Sequence, residues 1–287
     1  MTAAELPDHA ARPVDHRPVD HRAAVAAQTA VFVAAVEKAD PTTPVPTCPG
    51  WTLADLVKHA GSVQRWFSVL LRRRSQQPPT SREVDLQLPD APQDYPGWLA
   101  ASALEAADAF AGTDPDAPMW AWGADQHARF WARRMLFETL VHRVDAELAL
   151  GLEPVIDRDL AVDGLDEFLV NLPFATLFRP EVGELRGQDE TIRFRCTDGP
   201  ESWLVRLRPD GFALEAAGAA ATGAGAADSG ATGAGAADSG TVADASVQGA
   251  AADLLLLVYG RLERTAPVLA TEGDQDLLTR WFTHSAF

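Results

Sequence analysis

Glu138 and His142 stand four residues apart in an apolar segment, Phe130–Glu147. Helical spacing places them one turn apart on one face, with Arg134 and Asp145 extending the same polar stripe. Leu136, Phe137, Leu140, Val141 and Val144 flank that stripe. Buried charge is costly unless it is paired or ligated, so the stripe asks for a reason. His59 is a third candidate, four residues after Asp55 in another apolar segment. Two imidazoles and one carboxylate form a ligand set for zinc with a fourth position open to water or substrate. Other divalent first-row metals accept the same set. The spacing alone is more simply that of an exposed Glu–His pair on a helix surface and a structural histidine at 59.

These residues need helices to carry them. Thr52 reads as an N-cap with Asp55 as its capping-box partner. The helix it opens runs to about Arg74, its apolar residues keeping a 3.6-residue period from Leu53 through Leu70. A helix over Ala23 to about Ala39 precedes it, and one over Pro96 to about Ala111 follows. The fourth runs from about His127 to Leu150 and stops at Gly151, a left-handed cap position. Four such helices predict an up-down bundle. Beyond Pro154 one more helix, Leu160–Leu172, precedes alternating stretches. Ile192, Phe194 and Cys196 alternate with arginines, and so do Trp203, Val205 and Leu207 with polar or outward residues. Pro209–Gly211 reads as a turn into Phe212–Glu215, Val242–Val247 as a fourth strand. A helix over Ala250 to about Glu263 and a short one over Asp274–Phe282 close the chain. The expected fold class is an N-terminal all-α four-helix bundle followed by a small α+β domain with an antiparallel sheet. Its divisions are a disordered tail over 1–22, the bundle over 23–153 and the α+β domain over 154–287.

Two duplications interrupt this plan. Arg-Pro-Val-Asp-His occurs twice in tandem, at Arg12–His16 and Arg17–His21, in the tail. ATGAGAADSG fills Ala221–Gly230 and again Ala231–Gly240. Residues of that kind build no core, so 217–241 reads as a flexible surface insertion.

Composition narrows the function. The chain has 287 residues and a net charge of −17. So acidic a chain is a poor general nucleic-acid binder, which needs a basic face, and a poor ligand for anionic lipid. Lys38 and Lys58 are the only lysines, the remaining basic residues being arginine; with the abundant alanine, this has the look of a GC-rich bacterial genome. No apolar run reaches membrane-spanning length and the N-terminus has no signal-like apolar core, so the expected location is the cytoplasm. Two cysteines, Cys48 and Cys196, exclude a disulfide framework and a multi-cysteine zinc site. Cys196, alternating with arginines, reads as core.

The segments VPTCPGWTLADLVKHAG (Val45–Gly61) and FWARRMLFETLVHRVDAE (Phe130–Glu147) resemble the two hallmark segments of the mycothiol-dependent maleylpyruvate isomerase family, and DLLLLVYGRL near the end extends the likeness over most of 23–285. The resemblance implies a DinB-like metal-binding bundle, then a domain resembling sterol carrier protein. It implies metal ligands at His59, Glu138 and His142, and an actinobacterial source. It implies a divalent metal, zinc by expectation, with mycothiol as thiol cosubstrate. The expected activity is attack of the activated thiol on an electrophilic small molecule, as cis–trans isomerase or S-transferase. The alternative is a non-enzymatic small-ligand-binding protein with a structural metal. Around the ligands, Asp145 is expected to orient His142 or to form an ordinary helix-face ion pair, and His127 to line the mouth or simply cap its helix. Arg261, placed in the penultimate helix, is expected to face the cleft and hold a substrate carboxylate, or to be a solvated helix-end residue. The turn at Cys48 reads as a structural entry to the helix, with Trp51 packing across its start. The expected partners are the thiol and the electrophile, with no nucleic acid or membrane, in a monomer or homodimer.

Overall fold

The structure is a computed structural model that describes residues 19–78, 83–215 and 242–286. Most of the tail and the duplicated Gly/Ala segment lie outside the described residues. The first helix, α1 (His21–Val36), begins two residues earlier than its apolar pattern predicts. Asp20, from the second copy of the pentapeptide, is its N-cap and accepts from the Ala23 amide at 3.2 Å. His21 of the same copy then reaches Asp163 at 2.7 Å.

The helix α2 (Leu53–Arg73) opens with the expected capping box. The Thr52 amide donates to Asp55 Oδ2 at 3.0 Å, and the Asp55 amide to Thr52 Oγ1 at 3.4 Å. Next come α3 (Tyr95–Ala111) and α4 (Ala128–Ala149), after which Gly151 takes φ +69°. In the bundle α1 and α2 each pack on α3 and α4. Sequence-adjacent α1 and α2 therefore face each other across a diagonal, as do α3 and α4. This departs from a simple up-down ring, where successive helices are neighbours; apolar periodicity sets a helix's buried face but not which helix covers it.

The second unit holds α5 (Arg158–Asn171), β1 (Thr191–Cys196), β2 (Ser202–Arg208), β3 (Gly211–Leu214), β4 (Ala245–Gly249), α6 (Ala251–Val258), β5 (Ala270–Gly273) and α7 (Gln275–His284). The strand order is β3-β2-β1-β4-β5. β1 pairs β2 antiparallel, with Phe194 opposite Trp203, but it pairs β4 parallel, with Phe194 opposite Val247. The sheet is thus mixed, not purely antiparallel, and gains β5 on the far edge. Alternation fixes which face a strand buries; it is silent on the direction of a neighbour reached through a long connection. Ile192, Phe194, Cys196, Trp203, Val205 and Val247 form the buried face.

The helix expected to reach Glu263 ends at Val258, because Gly260 turns the chain at φ +72°. Arg261 consequently lies beyond the helix. The two units share α4: Leu140, Val141 and Val144 belong to the core built on the sheet, α5 and α6, whereas Phe130 to Phe137 pack in the bundle. Most faces of α4 are covered, so its polar stripe is fully buried at Asp145 and half-buried at Glu138. No helix among the described residues is long and apolar enough to cross a membrane.

Candidate metal centre

The stripe on α4 meets His59 from α2. His59 Nε2 lies 3.1 Å and His142 Nε2 3.2 Å from the same oxygen, Glu138 Oε1. The two imidazoles meet edge to face, their centroids 4.9 Å apart. Donor atoms of His59, Glu138 and His142 all fall within 4.8 Å of one another. With bonds of about 2.0–2.1 Å at tetrahedral angles, zinc donors stand about 3.3 Å apart. The residues present therefore fit a divalent cation in both donor chemistry and spacing.

Each ligand is held by its surroundings. His142 Nδ1 is 2.9 Å from Asp145 Oδ2, which turns Nε2 toward Glu138. Burial works against an imidazolium at His142, but hydrogen bonds to Asp145, Cys48 and Glu138 outweigh it and hold the pKa well above its ordinary value. Burial would raise the Glu138 carboxyl. Hydrogen bonds with His142 and His59, and the charges of His142 and Arg134, instead hold it well below the usual carboxylate range. Arg134 Nη2 donates to Glu138 Oε2 at 3.2 Å.

The turn before α2 supplies a wall. The Val45 amide donates to the Trp51 carbonyl at 2.9 Å, and Gly50 at φ +84° closes the reversal. Trp51 is thereby laid 5.1 Å from the His59 ring and 6.4 Å from His142, centroid to centroid. From the same turn, Thr47 Oγ1 donates to Asp145 Oδ1 at 2.6 Å, and Cys48 Sγ lies 3.5 Å from Asp145 Oδ2.

Asp145 is 0% exposed, and its side chain gathers the remaining contacts. Burial raises its pKa, but hydrogen bonds from His142 and Arg261 and their charges overcome this and drive it far below the ordinary value. Arg261 Nε and Nη2 each donate to this carboxylate at 2.8 Å, while Nη1 donates to the Tyr259 carbonyl at 2.5 Å. The carboxylate that Arg261 grips in this structure is the protein's own, not a substrate's, and the side chain is only 7% exposed. His127 is apart from the group. It precedes α4 and pairs with Asp125 Oδ1 at 2.5 Å. Eleven residues separate it from Glu138, about 16 Å along the helix axis. It therefore does not border the triad.

Three contributors were missed in the sequence: Thr47, Glu167 and Tyr259. Glu167 Oε2 accepts from Arg134 Nη1 at 2.8 Å, and Tyr259 stands 3.0 Å from the same nitrogen. An acid set beside Leu165, Phe168 and Leu169 in α5 was the available signal for Glu167. Cys196 is buried in the sheet, where desolvation and the neighbouring Asp198 and Glu201 push its thiol up to about 12.

Two family models match the chain. The one described as the mycothiol maleylpyruvate isomerase N-terminal domain covers residues 22–147, and the MDMPI C-terminal domain covers 159–280. Among solved structures the chain resembles the crystal structure of the mycothiol-dependent maleylpyruvate isomerase, at 13% identity and a TM-score of 0.53, over 88% of this chain and 91% of that one. A histidine-to-alanine mutant of that isomerase matches with the same values, 13% identity and a TM-score of 0.53. At this identity the likeness shows the fold. No curated protein sequence matches. The two family models together span most of the sequence, and the chain belongs to the mycothiol-dependent maleylpyruvate isomerase family.

Proposed function

We propose that this protein is a divalent-metal-dependent, thiol-dependent isomerase. Its thiol cosubstrate would be mycothiol and its substrate a small molecule with an activated carbon–carbon double bond. The thiol adds to that bond, the adduct turns about the now single bond, and the thiol leaves; retention of the adduct would make the same site an S-transferase. The observation that carries the reading is the convergence of His59 Nε2 and His142 Nε2 on Glu138 Oε1, at 3.1 and 3.2 Å.

His59, Glu138 and His142 would hold the cation, zinc by donor type. When bound, it would let a coordinated thiol ionise near neutral pH. Asp145 accepts from His142 Nδ1 and so presents Nε2 to the site. Arg261 and Thr47 hold Asp145 in that position. Trp51 stands beside both imidazoles, tilted against His59 and stacked toward His142. Among the described residues these three donors form one group, and a second group, Cys48, His142 and Asp145, shares only His142 with it. A closed structural site takes four protein ligands, so three favour a catalytic one over a purely structural metal.

The test is an isomerisation assay with metal-loaded protein, maleylpyruvate and mycothiol, beside the Glu138→Ala variant. Turnover that requires both thiol and metal and is lost in the variant supports the reading. Thiol-independent turnover, or an unaffected variant, contradicts it.

A further inference from the structure

The two oxygens of Glu138 have different company. Oε1 faces the two imidazoles, and Oε2 accepts from Arg134 Nη2 at 3.2 Å. Arg134 is itself fixed from behind. Its Nη1 is 2.8 Å from Glu167 Oε2 and 3.0 Å from the Tyr259 hydroxyl, and its guanidinium lies over the Tyr259 ring at 5.9 Å. Glu167 is buried, and its other oxygen accepts from Asn171 Nδ2 at 3.3 Å.

A helix gains little from this pair. An Arg on the N-terminal side of a Glu is the less favourable i, i+4 order. Burying the Glu167 carboxylate and most of the Arg134 guanidinium also costs more than a surface pair returns. What the arrangement does provide is a fixed donor on one chosen oxygen. A carboxylate beside a cation can bind through one oxygen or both. The charge-assisted hydrogen bond from Arg134 draws on Oε2 and so competes with coordination through that oxygen.

We propose that Arg134 is a positioning residue that confines Glu138 to coordination through Oε1 alone, keeping a further position open for the thiol. This rests on the metal site proposed above. Glu167 and Tyr259, from α5 and the end of α6, are the further partners of the Arg134 guanidinium.

The experiment loads cobalt(II) into the parent, a Glu167→Gln variant and an Arg134→Gln, Glu167→Gln double variant. The double variant removes cation and anion together, leaving no uncompensated buried charge. Circular dichroism checks that each is folded. The parent and Glu167→Gln should share the intense visible bands of a low-coordinate ion. The double variant should show bands several-fold weaker, as Glu138 turns both oxygens to the metal. Unchanged bands in a folded double variant would overturn the proposal. Should that variant fail to fold, the zinc-induced infrared difference spectrum of the parent decides. A wide separation of the two carboxylate stretches supports one-oxygen binding, and a narrow one overturns it. A parent that takes up neither cobalt nor zinc removes the metal site itself, and this inference with it.

Discussion

Arg261 and Asp145, 116 residues apart in sequence, form a two-pronged ion pair with both contacts at 2.8 Å. It ties the end of α6 to the helix that carries Glu138 and His142. Through Asp145 it also fixes the His142 ring, so the second unit contributes to the orientation of a proposed ligand on α4.

Breaking that pair should be expensive. Arg261→Ala leaves a fully buried carboxylate without its main counter-charge, and losses of this kind run at about 3–5 kcal/mol. Asp145→Asn retains the shape and removes the charge; the double variant Asp145→Asn, Arg261→Gln should lose less than the sum of the singles. Urea unfolding of the four proteins measures the coupling, and strict additivity would contradict it. Asp145→Asn should also weaken metal binding by about 10–100-fold, the usual effect of removing a carboxylate behind a ligating histidine.

Acid sensitivity should run partly through Asp163. Burial raises its carboxyl pKa, but the hydrogen bond from His21 and the charge of Arg133 prevail, and the folded-state value is lowered. A depressed carboxyl pKa stabilises the fold fully above the unfolded value of about 3.9. That contribution is lost as pH falls through the lower, folded-state value. Asp163→Asn should therefore be less stable than the parent at pH 6, and the gap should narrow toward pH 3. A constant gap across urea unfolding from pH 6 to 3 would contradict the assignment.

Gly61 lets α2 and α3 approach, because a Cβ there would come within 2.2 Å of the Trp98 ring. Trp98 cannot easily yield, since its Nε1 donates to the Leu86 carbonyl at 2.8 Å. Gly61→Ala should cost about 1–3 kcal/mol, the range for overpacking a core. Gly97→Ala meets nothing within 4 Å and should cause no loss. Thermal melts of the two variants make the comparison. As His59 lies two residues from Gly61, metal affinity should fall in the first variant only.

Much of this site could be read from local pattern. The capping box announced α2 and hence the seat of His59; the four-residue step from Glu138 to His142 announced a shared face. That His59 and Glu138 meet rested on resemblance, because 79 residues separate them and periodicity carries no partner. The same limit explains Arg261. Its position after an apolar run read as helix, and nothing local revealed that Gly260 turns the chain and sends the guanidinium to Asp145. The parallel pairing of β4 with β1 was hidden likewise: Ala245, Val247 and Gly249 alternate identically whichever way the strand runs. His21 read as tail because its partner, Asp163, lies 142 residues away.

Metal content decides whether His59, Glu138 and His142 form a metal centre. Elemental analysis of the purified protein, with zinc titration of any metal-free fraction, should give close to one divalent ion per chain. The His59→Ala, Glu138→Ala double variant should retain its fold and lose that ion. A parent with no bound metal and no uptake on titration, or a folded double variant that binds as tightly as the parent, would contradict the account.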